Sequence, residues 1–151
     1  LGIVEKRFGR RSLKSGFIAL HGEAGYQPNV LRGGLTPKYV NVDELPWKPT
    51  PTPGIDMKIL LQDKDTGLLT ALFRWAPGTE LALHEHVEVE QTYVLEGSIV
   101  DAEGEVTAGN YVWRPRGNRH VARSPRGALV LSFFLKPNVF IDAELAGRTL
   151  E

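Results

Sequence analysis

Beyond residue 54 the chain is written in short runs of alternating apolar and polar residues, separated by turn-forming ones. Residues 55–61 and 68–75 read as strands on either side of the Asp63-Lys64-Asp65-Thr66-Gly67 turn, and Pro77-Gly78 ends the second. Further strand-like runs cover residues 80–86, 90–96, 98–101, 111–114, 119–123 and 128–135. Breaks come at Gly97, at 102–104, at Gly109-Asn110, at 115–118 and at 124–127. Many short strands with Gly/Pro turns and no helical crossover predict an antiparallel sandwich, jelly roll or barrel. Residues 141–146 suggest one helical turn near the end.

The pattern upstream is different. Residues 1–38 follow neither a helical nor a strand period, and seven glycines with Pro28 and Pro37 interrupt them. They are expected to form an extended arm, ordered only where it lies against something else. Residues 39–42 read as a short strand. Four prolines among residues 43–54 then impose a non-helical loop. The expected organisation is therefore an arm over 1–38 and a single all-β domain over 39–151.

Composition narrows the class without settling the chemistry. A chain of 151 residues with 42% hydrophobic and 24% charged content suits one globular domain. No apolar run approaches the ~20 residues needed to span a bilayer, so no membrane partner is expected and the default location is the cytoplasm. With no cysteine, disulfides and thiolate ligands are excluded. The net charge is zero, but residues 1–40 hold seven Lys/Arg against Glu5 and Glu23, a local +5 balanced by −5 elsewhere. A basic arm can signal nucleic-acid binding. Here it holds few aromatics and no RNA-binding signature, and packing on an acidic body or a neighbouring subunit is the simpler expectation.

Three of the four histidines fall in one stretch: His84 and His86, then His120, with Glu90 four residues after His86. In a strand, residues two apart share a face and stand about 6–7 Å apart along the backbone, so both imidazoles of His84-Glu85-His86 can reach one ion. The 115–118 turn would bring His120 alongside. Three imidazoles and a carboxylate are a donor set for a six-coordinate divalent cation with open positions. Taken singly, each of these residues is more commonly a satisfied core histidine or a surface carboxylate; the joint spacing is what carries weight.

That spacing resembles the two motifs that characterise the cupin superfamily. The first, G-x5-H-x-H-x3,4-E-x6-G, is matched by Gly78, His84, His86, Glu90 and Gly97. The second, G-x5-P-x-G-x2-H-x3-N, is matched by Gly109, Pro115, Gly117 and His120, with Ser124 in place of the final Asn. That last position is not a ligand in the family. Trp47, the proline-rich loop, Gly54-Ile55, residues 70–78 and the Asp101-x-x-Gly104 turn are similar to the ChrR-like branch in particular. The resemblance runs from about Tyr39 to Leu135 and does not reach the arm.

The resemblance implies a cupin jelly-roll β-barrel (a double-stranded β-helix) carrying an extended N-terminal arm. It also implies a metal site of His84, His86, Glu90 and His120. The branch includes small dioxygenases that cleave carbon–carbon bonds in dihydroxyacetophenone or acetylacetone, and a zinc-binding anti-sigma-factor domain. The leading expectation is a metal-dependent dioxygenase acting on a small diketone or hydroxyketone, with Fe(II) as cofactor and O2 as co-substrate; zinc, nickel and manganese are the alternative ions. Thr92, Val94 and Trp113 are its expected substrate contacts, with Phe73, Trp75 and Phe133 as further pocket candidates. A non-catalytic zinc-binding regulatory cupin and a sugar isomerase or epimerase are the alternatives. Strand parity turns Leu81, Leu83, Tyr93 and Leu95 outward, from which a homodimer or homotetramer is expected.

Overall fold

The computed structural model describes residues 35–141. Residues 1–34 of the arm expected over 1–38, and all but the first residue of the helical turn expected over 141–146, lie outside them. Among the described residues there are ten strands and no helix, and hence no helix long and apolar enough to cross a membrane.

Strands β1 (Lys48–Pro49), β2 (Ile55–Asp63), β3 (Leu68–Trp75), β4 (Thr79–Glu85) and β5 (Glu90–Val100) come first. They are followed by β6 (Glu105–Thr107), β7 (Tyr111–Arg114), β8 (Arg119–Ser124), β9 (Ala128–Phe134) and β10 (Val139–Phe140). All pair antiparallel in the order β1-β2-β3-β9-β5-β8-β4-β10, with β6 and β7 also on β5. The result is the jelly roll expected from the alternation. Its sheet curls so that inward residues of β2, β3, β4, β5, β8 and β9 meet in one core, with Met57, Phe73, Leu81, Val94, Val130 and Phe134 among its members.

Strand β5 joins the two halves. Its first part, Glu90 to Gly97, pairs with β9, and its end, from Ser98 to Val100, pairs with β6 and touches β8. The break expected at Gly97 is instead a bend within one strand. Gly97 has φ +68, and a Cβ there would stand 2.0 Å from the Gly127 carbonyl oxygen, so only glycine lets the two backbones approach this closely.

The remaining differences are local. Residues 39–42 form no strand: Tyr39 is fully exposed and Val42 opens a turn closed by the Leu45 N–H on its carbonyl. The proline-rich loop holds the two-residue β1, and Trp47 beside it lies under the cations of Lys58 and Arg74. Leu81, expected outside, is a buried core residue. A register irregularity between Leu81 and His84 shifts the parity of β4 midway, so that Thr79 and Leu81 face inward before it and His84 after it.

Candidate metal centre

That irregularity serves the site. It lets one strand supply apolar core at its start and imidazoles at its end. His84 pairs directly across from His120 on β8. His86, one residue past β4, is tied to the second motif's turn: its N–H donates to Asn118 O at 3.0 Å and its carbonyl accepts from Gly117 N at 2.8 Å. Gly117 sits at φ +81, which the tight turn requires.

The three imidazoles stand at the corners of a nearly equilateral triangle, with ring centroids 5.0, 4.6 and 5.0 Å apart. One nitrogen of each lies within 4.8 Å of the other two. His84 and His86 are almost wholly buried. His84 Nδ1 donates to Ala82 O at 2.9 Å and His120 Nδ1 donates to Asp101 Oδ2 at 2.9 Å, which leaves both Nε2 lone pairs free. Burial, the dominant cause, with the neighbouring imidazoles adding to it, lowers the His84 pKa from 6.5 to about 4. His120 is lowered too, again chiefly by burial and against the pull of Asp101. Both are therefore neutral near pH 7, the form that binds metal.

The donor set fits a cation. His86 Nε2 and His120 Nε2 are 3.0 Å apart. An ion ~2.1 Å from two nitrogens at a right angle sets them about that far apart. His86 Nδ1 is 3.0 Å from Glu90 Oε2, too poorly aligned for a hydrogen bond. A cation between the imidazoles accounts for the close approach of the two Nε2 atoms.

Glu90 is near the triangle but not part of the three-histidine cluster. Asn138 Nδ2 donates to its Oε2 at 2.7 Å and Thr92 Oγ1 to its Oε1 at 3.2 Å. Burial pushes the Glu90 pKa up, but the contact with His86 and the Asn138 bond outweigh it, so the group is held below the usual carboxylate value. The predicted four-ligand set thus divides into three clustered imidazoles and a carboxylate fixed beside His86.

A cavity of about 670 Å³ opens onto His84 and His120, within the usual ~300–1,000 Å³ of small-molecule sites. Strand register gives it two layers. One carries His84, His120, Glu90, Thr92 and Ser132, with Thr92 bonded to Ser132 at 2.8 Å. The other carries Phe73, Leu81, Ala122 and Val130. Of the expected substrate contacts, Thr92 lines this cavity, whereas Val94 is fully buried in the core and does not. Trp113 is corrected outright: it is 58% exposed on the outer face, and its neighbours Val112 and Arg114 face in. Its parity on β7 is opposite to theirs. Phe73 and Trp75 line the cavity, and Phe133 lies outside it, 38% exposed.

Two polar residues escaped the sequence reading. Asp101 accepts from His120 Nδ1 and from the N–H groups of Glu103 and Gly104, and Arg114 pairs with it. Its pKa is lowered because these contacts outweigh its desolvation. It stood in view only as a turn residue. Asn138 gave no signal at all, since it lies outside both motifs and reaches Glu90 across 48 positions of chain.

Among solved structures, a proposed acetylacetone dioxygenase of Methylibium petroleiphilum is 25% identical, with a TM-score of 0.69 over 79% of this chain and 91% of that one. An acetylacetone dioxygenase of Acinetobacter johnsonii is 22% identical, with a TM-score of 0.68 over 76% and 85%. The anti-sigma factor ChrR of Rhodobacter sphaeroides, in complex with SigE, is 21% identical, with a TM-score of 0.54 over 62% and 51%. The last two likenesses bear on the fold. Comparison with curated proteins finds no match. The ChrR cupin-like domain matches residues 36–138, about two-thirds of the sequence and strands β1 to β9 with the whole histidine triangle, and the chain belongs to that family.

Proposed function

We propose that the chain is a metal-dependent dioxygenase that breaks a carbon–carbon bond in a small diketone or hydroxyketone. The observation that carries this reading is the convergence of three histidines, two of them on the wall of a cavity that has an apolar layer beside them. The 25% identity to the proposed acetylacetone dioxygenase, over nearly the whole of that chain, supports it. Both atoms of O2 enter the products: a diketone yields a carboxylic acid and a second dicarbonyl fragment, with no other reductant needed.

His84, His86 and His120 would hold the ion. When bound it supplies Lewis acidity toward an enolisable ketone, and as Fe(II) it supplies the redox chemistry that O2 requires. Ala82 O and Asp101 fix the tautomers of His84 and His120, so each presents a lone pair rather than a proton. Asn138 and Thr92 hold Glu90 beside His86, where its negative charge offsets that of a cation. Phe73, Leu81, Ala122 and Val130 form the apolar layer beside the histidines, where the alkyl or aryl end of a substrate displaces water.

Protein purified without oxygen should contain iron by elemental analysis and consume one O2 per diketone cleaved. Tight zinc with no turnover after any reconstitution would move the reading to a regulatory zinc module. Aldose–ketose interconversion without oxygen would move it to an isomerase.

A further inference from the structure

The cavity wall is unevenly charged. Besides the histidines, its ionisable groups among the described residues include the carboxylates of Glu90, Asp101, Glu103 and Glu105 and the guanidinium of Arg114. No lysine lines it. Arg114 is already engaged on both sides: one terminal nitrogen pairs with Asp101 and the other with Glu103. Asp101 is held from behind by His120 and two backbone N–H groups. Asn118 steadies Glu103 from its other oxygen, with a bond of 3.1 Å. The guanidinium's charge is therefore already matched by two carboxylates, which leaves it a poor counter-ion for a ligand.

Beyond the two oxygens that a metal at the histidines would hold, a carboxylate or phosphate in such a cavity needs an unengaged cation or a nest of N–H groups, because an unpaired buried anion is costly. Here it would meet carboxylates instead. Resting on the dioxygenase reading for the identity of the reacting group, we infer that the cavity admits uncharged substrates, and that Glu103, by occupying Arg114, is the residue that sets this selectivity. The chelating oxygens of such a substrate face the histidine layer. Its apolar substituent, an aryl or alkyl group, fills the layer of Phe73, Leu81, Ala122 and Val130. Asp101 is committed to His120 and is 2% exposed, whereas Glu103 is 55% exposed and has no such structural duty. The selectivity can thus be altered at Glu103 without dismantling the site.

Benzoylacetone and benzoylpyruvate make a matched pair of probes, differing in a methyl group against a carboxylate. Calorimetric titration of zinc-loaded protein reads binding without turnover. Although benzoylpyruvate is the stronger chelator, benzoylacetone should bind at least about tenfold more tightly, since like-charge juxtaposition disfavours the anion. Glu103→Gln should shrink that ratio several-fold by releasing charge on Arg114. Glu105→Gln removes the same charge from the mouth beside Arg126 rather than Arg114, and should leave the ratio close to wild type. Equal or tighter binding of benzoylpyruvate by the wild type overturns the inference. Equal shifts in the two variants overturn the role of Glu103. If the ratio behaves as expected while the iron form consumes no O2 with benzoylacetone, the dioxygenase reading falls and the selectivity stands.

Discussion

At the level of single residues, the site is a set of imidazoles kept neutral by burial and aimed by hydrogen bonds. His84→Ala, His86→Ala and His120→Ala should each lose most bound metal, by elemental analysis, while retaining an all-β circular dichroism spectrum, because the apolar core does not depend on the ion. Glu90→Gln should cost less affinity than any of them, since its carboxylate is held by Asn138 and Thr92 rather than in the triangle. Asp101→Asn should weaken metal binding by about 10- to 100-fold, the usual effect of removing the partner that orients a ligating histidine; an unchanged affinity would make Asp101 a turn residue only. Acid should also destabilise the metal-free protein. The His84 pKa falls from 6.5 to about 4 on folding. The unfolded chain therefore takes up a proton as the pH drops through about 6.5, and the folded chain does not until about 4. Stability is lost across that window, by up to roughly 3 kcal/mol from this residue. Urea titrations of metal-free protein should show a shallower pH slope for His84→Gln; equal slopes would sink the assignment.

At the level of elements, two backbone irregularities decide where those side chains go. The one in β4 turns a strand that begins as core into one that ends as ligands. The bend in β5 carries the strand from one half of the sheet to the other. Gly97→Ala tests the second. With φ at +68 and the Gly127 carbonyl oxygen 2.0 Å from the new Cβ, the strands must part, so a loss of about 2–4 kcal/mol is expected in chemical denaturation. A loss below about 1 kcal/mol would mean that the backbones separate easily. These irregularities also mark the limit of what a sequence displays. Alternation found β3 and β7 to the residue and the other long strands to within two or three positions, and motif spacing singled out the three histidines that the fold brings together. Alternation assumes an unbroken period of two, so it carried Leu81 to the wrong face and divided β5 at Gly97. It passed over β1, β6 and β10, whose two or three residues are too short to show a period. Thr92 was placed by parity, whereas Trp113 was chosen for its ring and not for its side of β7. Asp101, Arg114 and Asn138 reach the site through tertiary contacts that no local pattern encodes.

For the whole molecule, the outer face of the sheet is the unbalanced feature. Tyr93 pairs across from Tyr111 on one side and Leu131 on the other, and Gln91 lies between Trp113 and Phe133 in the same way. Tyr93, Leu95, Tyr111, Trp113 and Phe133 are each between 38% and 58% exposed. With whole aromatic side chains offering about 150–250 Å² apiece, this contiguous group leaves several hundred Å² of apolar surface in water. That is the size at which a patch on a soluble chain marks an interaction surface. Leu81, once counted toward such a surface, belongs to the core, so the patch lies on β5, β7 and β9 rather than on β4. A homodimer joined across this face is the expected assembly. Sedimentation equilibrium should then show a dimer at micromolar concentration, and Trp113→Glu with Tyr93→Lys should dissociate it while leaving bound metal unchanged, because neither side chain lines the cavity. Removing residues 1–34 separates the two ways of covering the face. If the truncated chain dimerises as tightly as the full one, the sheets meet directly. If it becomes monomeric, the basic N-terminal segment supplies the contact. A full-length chain that stays monomeric at high micromolar concentration would overturn both.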